Sequence, residues 1–212
     1  MSARFPLAVR ATVSLEGAPS EHALPVILDT ARSLFVEGGY EAASIAAVAL
    51  GAGVSRQAIY RHFADPREML RALVDRDVDD LVGRLHAPLS AIGDVDTLVG
   101  ASLEVFIDFV LEHRREYLLL FGQAGRAELG VASILAGLRA RLAGIYMSVF
   151  APAIEAAGVA WPPPAQARLI AYALMALCDG VVLAWLESPE PELGREDVRQ
   201  LLQVMVVRAL VA

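Results

Sequence analysis

The segment from Ser44 to Phe63, SIAAVALGAGVSRQAIYRHF, limits the possible folds of this chain more than any other. Its apolar positions Ile45, Val48, Ala49, Val54, Ile59 and Phe63 fit the inner faces of two helices packed at a steep angle across a tight turn. Gly53 stands where that turn needs a residue free to take positive φ. Ser55 stands at the N-cap of the second helix, where a hydroxyl accepts a bond from an orphan backbone N–H. The exposed side of the second helix then carries Arg56, Gln57, Tyr60, Arg61 and His62. No acidic residue occurs between Glu41 and Asp65, in a chain with 25 Asp+Glu against 18 Lys+Arg. An acid-free surface on an acidic protein is what a phosphate-facing helix requires. The segment reads as a helix-turn-helix that meets DNA.

The rest of the chain is helical in pattern. Helix 1 is expected from about His22 to Glu37, with Ile27, Thr30, Ala31, Leu34 and Phe35 on one face and Gly38-Gly39 at its end. Asp65-Pro66-Arg67-Glu68 marks a helix start, with Asp65 capping, Pro66 in first position and Glu68 three after the cap. That fourth helix should run to about His86, and Pro88 and Gly93 mark a break. Further helices are expected from Asp94 or Asp96 to Glu112, Glu116 to Phe121, Leu129 to Ala157 with a kink at Pro152, Pro164 to Leu186, and Arg195 to Val211. Strand signals are nearly absent. The expectation is an all-α fold of about nine helices, divided into residues 1–20 as a flexible tail, 21–81 as the head and 82–212 as a second helical domain.

At 212 residues the chain can bury a sizeable core. Hydrophobic content of 56% and mean hydropathy of +0.51 are high, yet the apolar stretches are interrupted, as by Asp179 in AYALMALCDGVVLAWL. Buried helices and a large apolar subunit interface explain this better than a membrane span. The single cysteine, Cys178, excludes an intramolecular disulfide and suits a reducing cytoplasm. The N-terminal stretch has no continuous apolar core of a signal peptide, and the alternation in LAVRATVSL would suit a short strand. All 18 cations are Arg, so every cationic phosphate contact falls to Arg, or to protonated His.

With its neighbours included, the segment resembles a known family. Helix 1 as VILDTARSLFVEGGY, then a small hydroxyl residue opening helix 2, AGVS, a Tyr-x-x-Phe, and a cap before a long fourth helix follow one another as in the N-terminal domain of the tetracycline-repressor (TetR) family. The likeness covers about residues 21–81. It implies a homodimeric transcriptional regulator that binds a palindromic double-stranded operator and is released by a small molecule, more in the manner of a repressor than an activator.

In a helix that enters the major groove, the N-terminal residues meet base edges and the flanks hold phosphates. Arg56 and Gln57 are therefore the candidate base readers, and Arg61, four residues after Gln57, shares their face. Ser55 caps the helix beside them. Tyr60, His62 and Ser44 match family positions that touch the DNA backbone. Two departures stand out. The family usually carries Lys where this chain has Pro66, leaving that contact to Arg67, and Ala58 replaces a frequent Thr. Arg4 and Arg10 in the tail could add a contact.

The resemblance also implies a small-molecule pocket inside the second domain, and the scarcity of polar groups there favours an apolar or weakly polar ligand. Candidate walls are Phe106, Phe109, Tyr117, Phe121, Tyr146, Met147, Phe150, Tyr172, Met175 and Trp185, with Glu104, Asp108, His113, Arg114, Gln123 and Asp179 as accompanying polar groups. Most such side chains at helical spacing are plain core. The last two helices carry apolar stripes, and the family pairs them into a dimer interface, here assigned to Leu177, Val181, Trp185, Val198, Leu202 and Met205. Gly130, Gly137, Gly144, Ala151 and Gly158 recur every seven residues, a stripe that would let another helix approach.

Two rival readings remain at this stage. The four histidines are scattered, with no metal-ligand spacing, no nucleotide-binding glycine fingerprint and no histidine near Cys178, which argues against an enzyme, a metal site or a cofactor. The second rival is a helical ligand-binding or interaction module that has lost specific DNA binding, motivated by Pro66 and Ala58.

Overall fold

The structure, a computed structural model, describes residues 23–90, 94–122, 129–156, 158, 160–188 and 192–211. The expectations for the tail with Arg4 and Arg10, for the LAVRATVSL strand, and for His22, Gly93, Gln123 and Ala157 lie outside these residues. Regular structure among the described residues is helical throughout.

The head is built from α1 (Ala23–Gly38), a 3-10 turn at Tyr40–Ala42, α2 (Ile45–Ala52), α3 (Arg56–Tyr60) and the start of α4 (Pro66–Ser90). Ile27, Ala31 and Phe35 of α1 meet Val48 and Ala49 of α2, Ile59 of α3 and Met69, Leu70, Leu73 and Val74 of α4 in one buried cluster. The first helix therefore forms the floor on which the helix-turn-helix rests. Gly51 lets α2 approach α1 closely, since a Cβ there would stand 2.7 Å from Thr30 Cγ2.

Beyond the head come α5 (Val95–Glu112), α6 (Arg114–Phe121), α7 (Leu129–Ala156), α8 (Pro164–Glu187) and α9 (Arg195–Val211). A second buried cluster joins Leu98, Val99, Leu103 and Ile107 of α5 to Val182 and Leu186 of α8 and to Val198, Leu202 and Val206 of α9. Val131, Ile134 and Leu135, at the start of α7, pack instead with the head cluster, so the two cores meet along α4 and α7.

One expectation about elements changes. α4 runs to Ser90, through Pro88, because a proline costs its turn one N–H bond without ending every helix. α7 spans Leu129–Ala156 with Pro152 inside it, in keeping with the expected bounds. On the stripe of small residues along α7, nothing lies within 4 Å of a Cβ built at Gly137 or Gly144, so these two positions are open.

α7 from Val131 to Ala156 and α8 are both long and apolar enough to cross a membrane by length and composition. The interruption read from the sequence, Asp179, lies within α8, and Arg139 and Arg141 interrupt α7 in the same way.

Candidate functional site

The recognition surface is set by two serine caps and one glycine. Ser44 Oγ accepts from the Ala47 N–H at 3.2 Å and starts α2. Gly53 ends that helix in the left-handed region, with φ 66° and its N–H returning to Ala49 and Leu50 carbonyls. A Cβ would have open space there, so backbone conformation, not crowding, is what favours glycine. Ser55 Oγ then accepts from the Ala58 N–H at 3.1 Å and starts α3.

α3 is only five residues long, shorter than the sequence suggested, and Arg61 follows it as C-cap with its N–H on the Gln57 carbonyl at 3.2 Å. Ala58 and Ile59 face inward, while Arg56, Gln57, Tyr60, Arg61 and His62 are exposed. The burial of Ala58 gives this departure its reason, since a residue here is a packing element. Ser44, Ser55 and Arg67 are exposed too, so all eight candidate DNA contacts lie on the surface.

The acids at the foot of α4 are turned to backbone donors and do not oppose phosphate freely. Asp65 Oδ1 accepts from the Glu68 N–H at 3.0 Å, and Glu68 reaches back to the Ala64 N–H at 2.6 Å. Beside them, burial holds the Tyr40 phenol above its ordinary range, and the adjacent Arg67 guanidinium pulls the other way. Arg67 therefore sits next to Tyr40, one residue past the Pro66 position where the usual lysine is missing.

With a five-residue α3, the Ser55 cap matters. Ser55→Ala is expected to cost about 1 kcal/mol of local stability and to fray α3. Amide exchange at Ala58 should accelerate, and affinity should fall alike on any duplex. Unchanged protection at Ala58 would show that the cap contributes nothing.

The second part of the site is a partly open cavity of about 170 Å³ lined by α4 to α9 and the loop before α8. Five of the seven candidate pocket residues line it: Phe106, Tyr117, Phe121, Tyr146 and Phe150. Tyr172 and Trp185 do not. Tyr172 is half-buried on α8, and the Trp185 indole N–H donates to the Leu193 carbonyl at 2.9 Å. Phe109, Met147, Met175, His113 and Asp179 also contribute to the wall. Glu104 and Asp108 are drawn away to Arg195, at 2.6 Å each, and Arg114 donates to the Leu186 carbonyl.

Sequence reasoning missed the α4 wall, made by Val74, Asp77, Val78 and Leu81. It also missed Arg32. This arginine, in the head, bonds Asp77 of α4 and, at 3.2 Å, Glu116 of α6, and both acids line the cavity. Burial opposes its charge, but Asp77 and Glu116 outweigh burial and hold Arg32 above its ordinary range. No spacing in the sequence links residues 45 and 84 positions apart.

At the cavity's polar end the Tyr117 hydroxyl donates to Asp179 Oδ1 at 2.7 Å, and the Arg139 guanidinium stands 4.0 Å from Asp179 Oδ2 and over the Phe121 ring. Burial and then the Asp179 charge push the Cys178 thiol up to about 12, so it stays protonated and is a poor nucleophile. No group of metal-binding side chains occurs among the described residues.

The dimer candidates divide. Met205 is exposed, and Leu177, Val181 and Trp185 are half-buried. Val198 and Leu202 are corrected: they are 1% and 0% exposed, sunk into their own chain against α5. α9 has two apolar faces, and the stripe read from the sequence straddles both. The outer face carries Leu201, Val204 and Met205, and beside it α8 exposes Leu169, Ala173, Ala176, Gly180 and Ala184.

A capped reading helix on an exposed, acid-free surface, joined to a helical body with a ligand-sized apolar cavity, defines a helix-turn-helix transcriptional regulator. The family model for bacterial regulatory proteins of the tetR family matches residues 27–73. The transcriptional activator FasR of Mycolicibacterium smegmatis is 30% identical over 165 residues, which span 78% of this chain and 73% of FasR. Among solved structures, a TetR-family regulator from Syntrophomonas wolfei superposes with a TM-score of 0.77 over 90% of this chain and 96% of its own, at 16% identity. FadR from Bacillus subtilis, solved in complex with stearoyl-CoA, superposes with a TM-score of 0.65 over 89% and 97%, at 17% identity. This chain belongs to the tetR family of bacterial DNA-binding transcriptional regulators.

Proposed function

We propose that the protein acts as a cytoplasmic homodimer on a palindromic operator and leaves it when an apolar effector fills the cavity. The observation that carries ligand release is Arg32, a residue of the head bonded to two acids of the cavity wall. A ligand shifts the heads only by fitting one arrangement better than the other, and here the arrangement of α4 and α6 is tied directly to α1. FadR, which shares the fold alone, was solved with an acyl chain bound, so the architecture accommodates apolar ligands.

Dimerisation is supported by the outer face of α8 and α9. A second copy covering it buries Leu169, Leu201, Val204 and Met205, and the small residues Ala176, Gly180 and Ala184 allow helices to approach closely. The same partner, and not a bilayer, accounts for the apolar length of α8. Two heads so joined can address successive major grooves, roughly 34–36 Å apart or a multiple. The reading favours repression by occupancy of a promoter; the relative FasR is named an activator, and operator position decides the sign.

Selection from random duplexes tests the reading, and a two-fold symmetric site is expected. On that site Arg56→Ala and Gln57→Ala should each cost about 1–3 kcal/mol at one base pair. Tyr60→Phe and Arg61→Ala should weaken binding evenly across sequences. An operator-to-scrambled ratio untouched by Arg56→Ala would remove that residue from base reading, and absence of binding to any duplex would favour a module that no longer reads DNA.

A further inference from the structure

The cavity wall contains a phenol donor, on Tyr146, without a use inside the protein. The Tyr146 ring lines the cavity with its centroid 6.0 Å from that of Phe150, and its hydroxyl makes no hydrogen bond among the described residues. Burial, then the nearby Cys178 and Asp179, keep this phenol protonated at any physiological pH, so it is a standing donor. Apart from the Trp161 indole N–H, which also lines the cavity, the other hydroxyl and imidazole groups of the wall are engaged. Tyr117 donates to Asp179, Ser102 Oγ to the Leu98 carbonyl at 2.8 Å, and His113 Nδ1 lies 3.0 Å from the Phe109 carbonyl.

Charge restricts the partner of that donor. Of the two guanidinium groups at the cavity, Arg139 faces Asp179 and Arg32 serves Asp77 and Glu116. An anion arriving at Tyr146 would therefore lie near Asp179 with both cations already paired, and burying an unpaired charge is costly. A water takes about 10–15 Å³ of such space, so about 170 Å³ admits an apolar body of roughly a dozen non-hydrogen atoms.

We propose that the effector is an uncharged carbonyl compound with an apolar body of that size, its carbonyl oxygen accepting from the Tyr146 hydroxyl. This rests on the cavity being the effector site. A free ketone or ester and an acyl thioester share the chemistry.

Calorimetric titration of the full chain with methyl nonyl ketone, n-undecane, undecanoate and decanoyl-CoA tests it. The ketone should bind one per chain and be preferred over undecane by roughly 3- to 10-fold, the worth of one hydrogen bond, and Tyr146→Phe should abolish that preference. Decanoyl-CoA binding with the same dependence on Tyr146 would assign a thioester as the source; its failure beside a bound ketone would assign a free carbonyl. Undecanoate binding as tightly as the ketone, or a preference that survives Tyr146→Phe, overturns the proposal and leaves the cavity as effector site. If none of the four binds, undecane included, the cavity reading falls with it.

Discussion

Leu202→Ala should destabilise the chain by about 2–5 kcal/mol, whereas Met205→Asp, three residues on, should leave the fold intact and separate the dimer. Leu202 is 0% exposed among Val198, Val206 and the apolar face of α5, so truncation removes packed atoms and leaves a hole. Against the 5–15 kcal/mol that hold a typical domain folded, that is a large share. Met205 is 37% exposed beside Leu201 and Val204, and an aspartate there costs an isolated chain little. In the proposed seam the same aspartate is buried twice, once from each copy, with nothing to pair it. Chemical denaturation separates the first effect, and sedimentation at micromolar concentration the second. If Met205→Asp sediments like the unmodified protein, the outer face of α9 is not the interface.

Arg32→Ala should lower stability by about 1–3 kcal/mol and weaken the effect of ligand on DNA binding. Breaking a fully buried ion pair costs about 3–5 kcal/mol; the side chains of Arg32, Asp77 and Glu116 retain 19%, 20% and 25% exposure, and water screens part of the loss. Two carboxylates then face one cavity wall without their cation. More consequential is the coupling. Allosteric couplings typically run to about 1–3 kcal/mol, and the variant should lose much of this because α1 no longer follows α4 and α6. Arg32→Lys keeps the charge but not the fork that serves two acids at once, so it should restore stability better than coupling. The measurement is operator affinity with and without effector, beside a denaturation midpoint. A variant that is less stable yet fully released by effector would make the cluster a structural brace only.

Local chemistry was enough to read the head from residue order. Gly53 takes the positive φ assigned to it, Ser55 caps α3, and Asp65, Pro66 and Glu68 open α4 as their types require. Each of these outcomes depends on neighbours within four residues, where steric limits and orphan backbone groups decide. The helices beyond the head were also legible, since their apolar periods and Pro and Gly punctuation are local.

What the sequence left undecided is which apolar face meets which partner. Val198, Leu202 and Met205 belong to one stripe in the sequence, yet the first two are sealed in the core and the third lies on the surface. Trp185 and Phe106 are both aromatic residues on long helices, but only Phe106 reaches the cavity, because the indole N–H of Trp185 is held by the Leu193 carbonyl. The Arg32–Asp77–Glu116 cluster had no signature at all, for it joins residues brought together only when α1, α4 and α6 pack. Helical periodicity records how much of a surface is apolar, whereas partnership depends on the three-dimensional arrangement of helices far apart in the chain. The tertiary structure alone decided that Arg32 of the head is bound to the wall of the cavity.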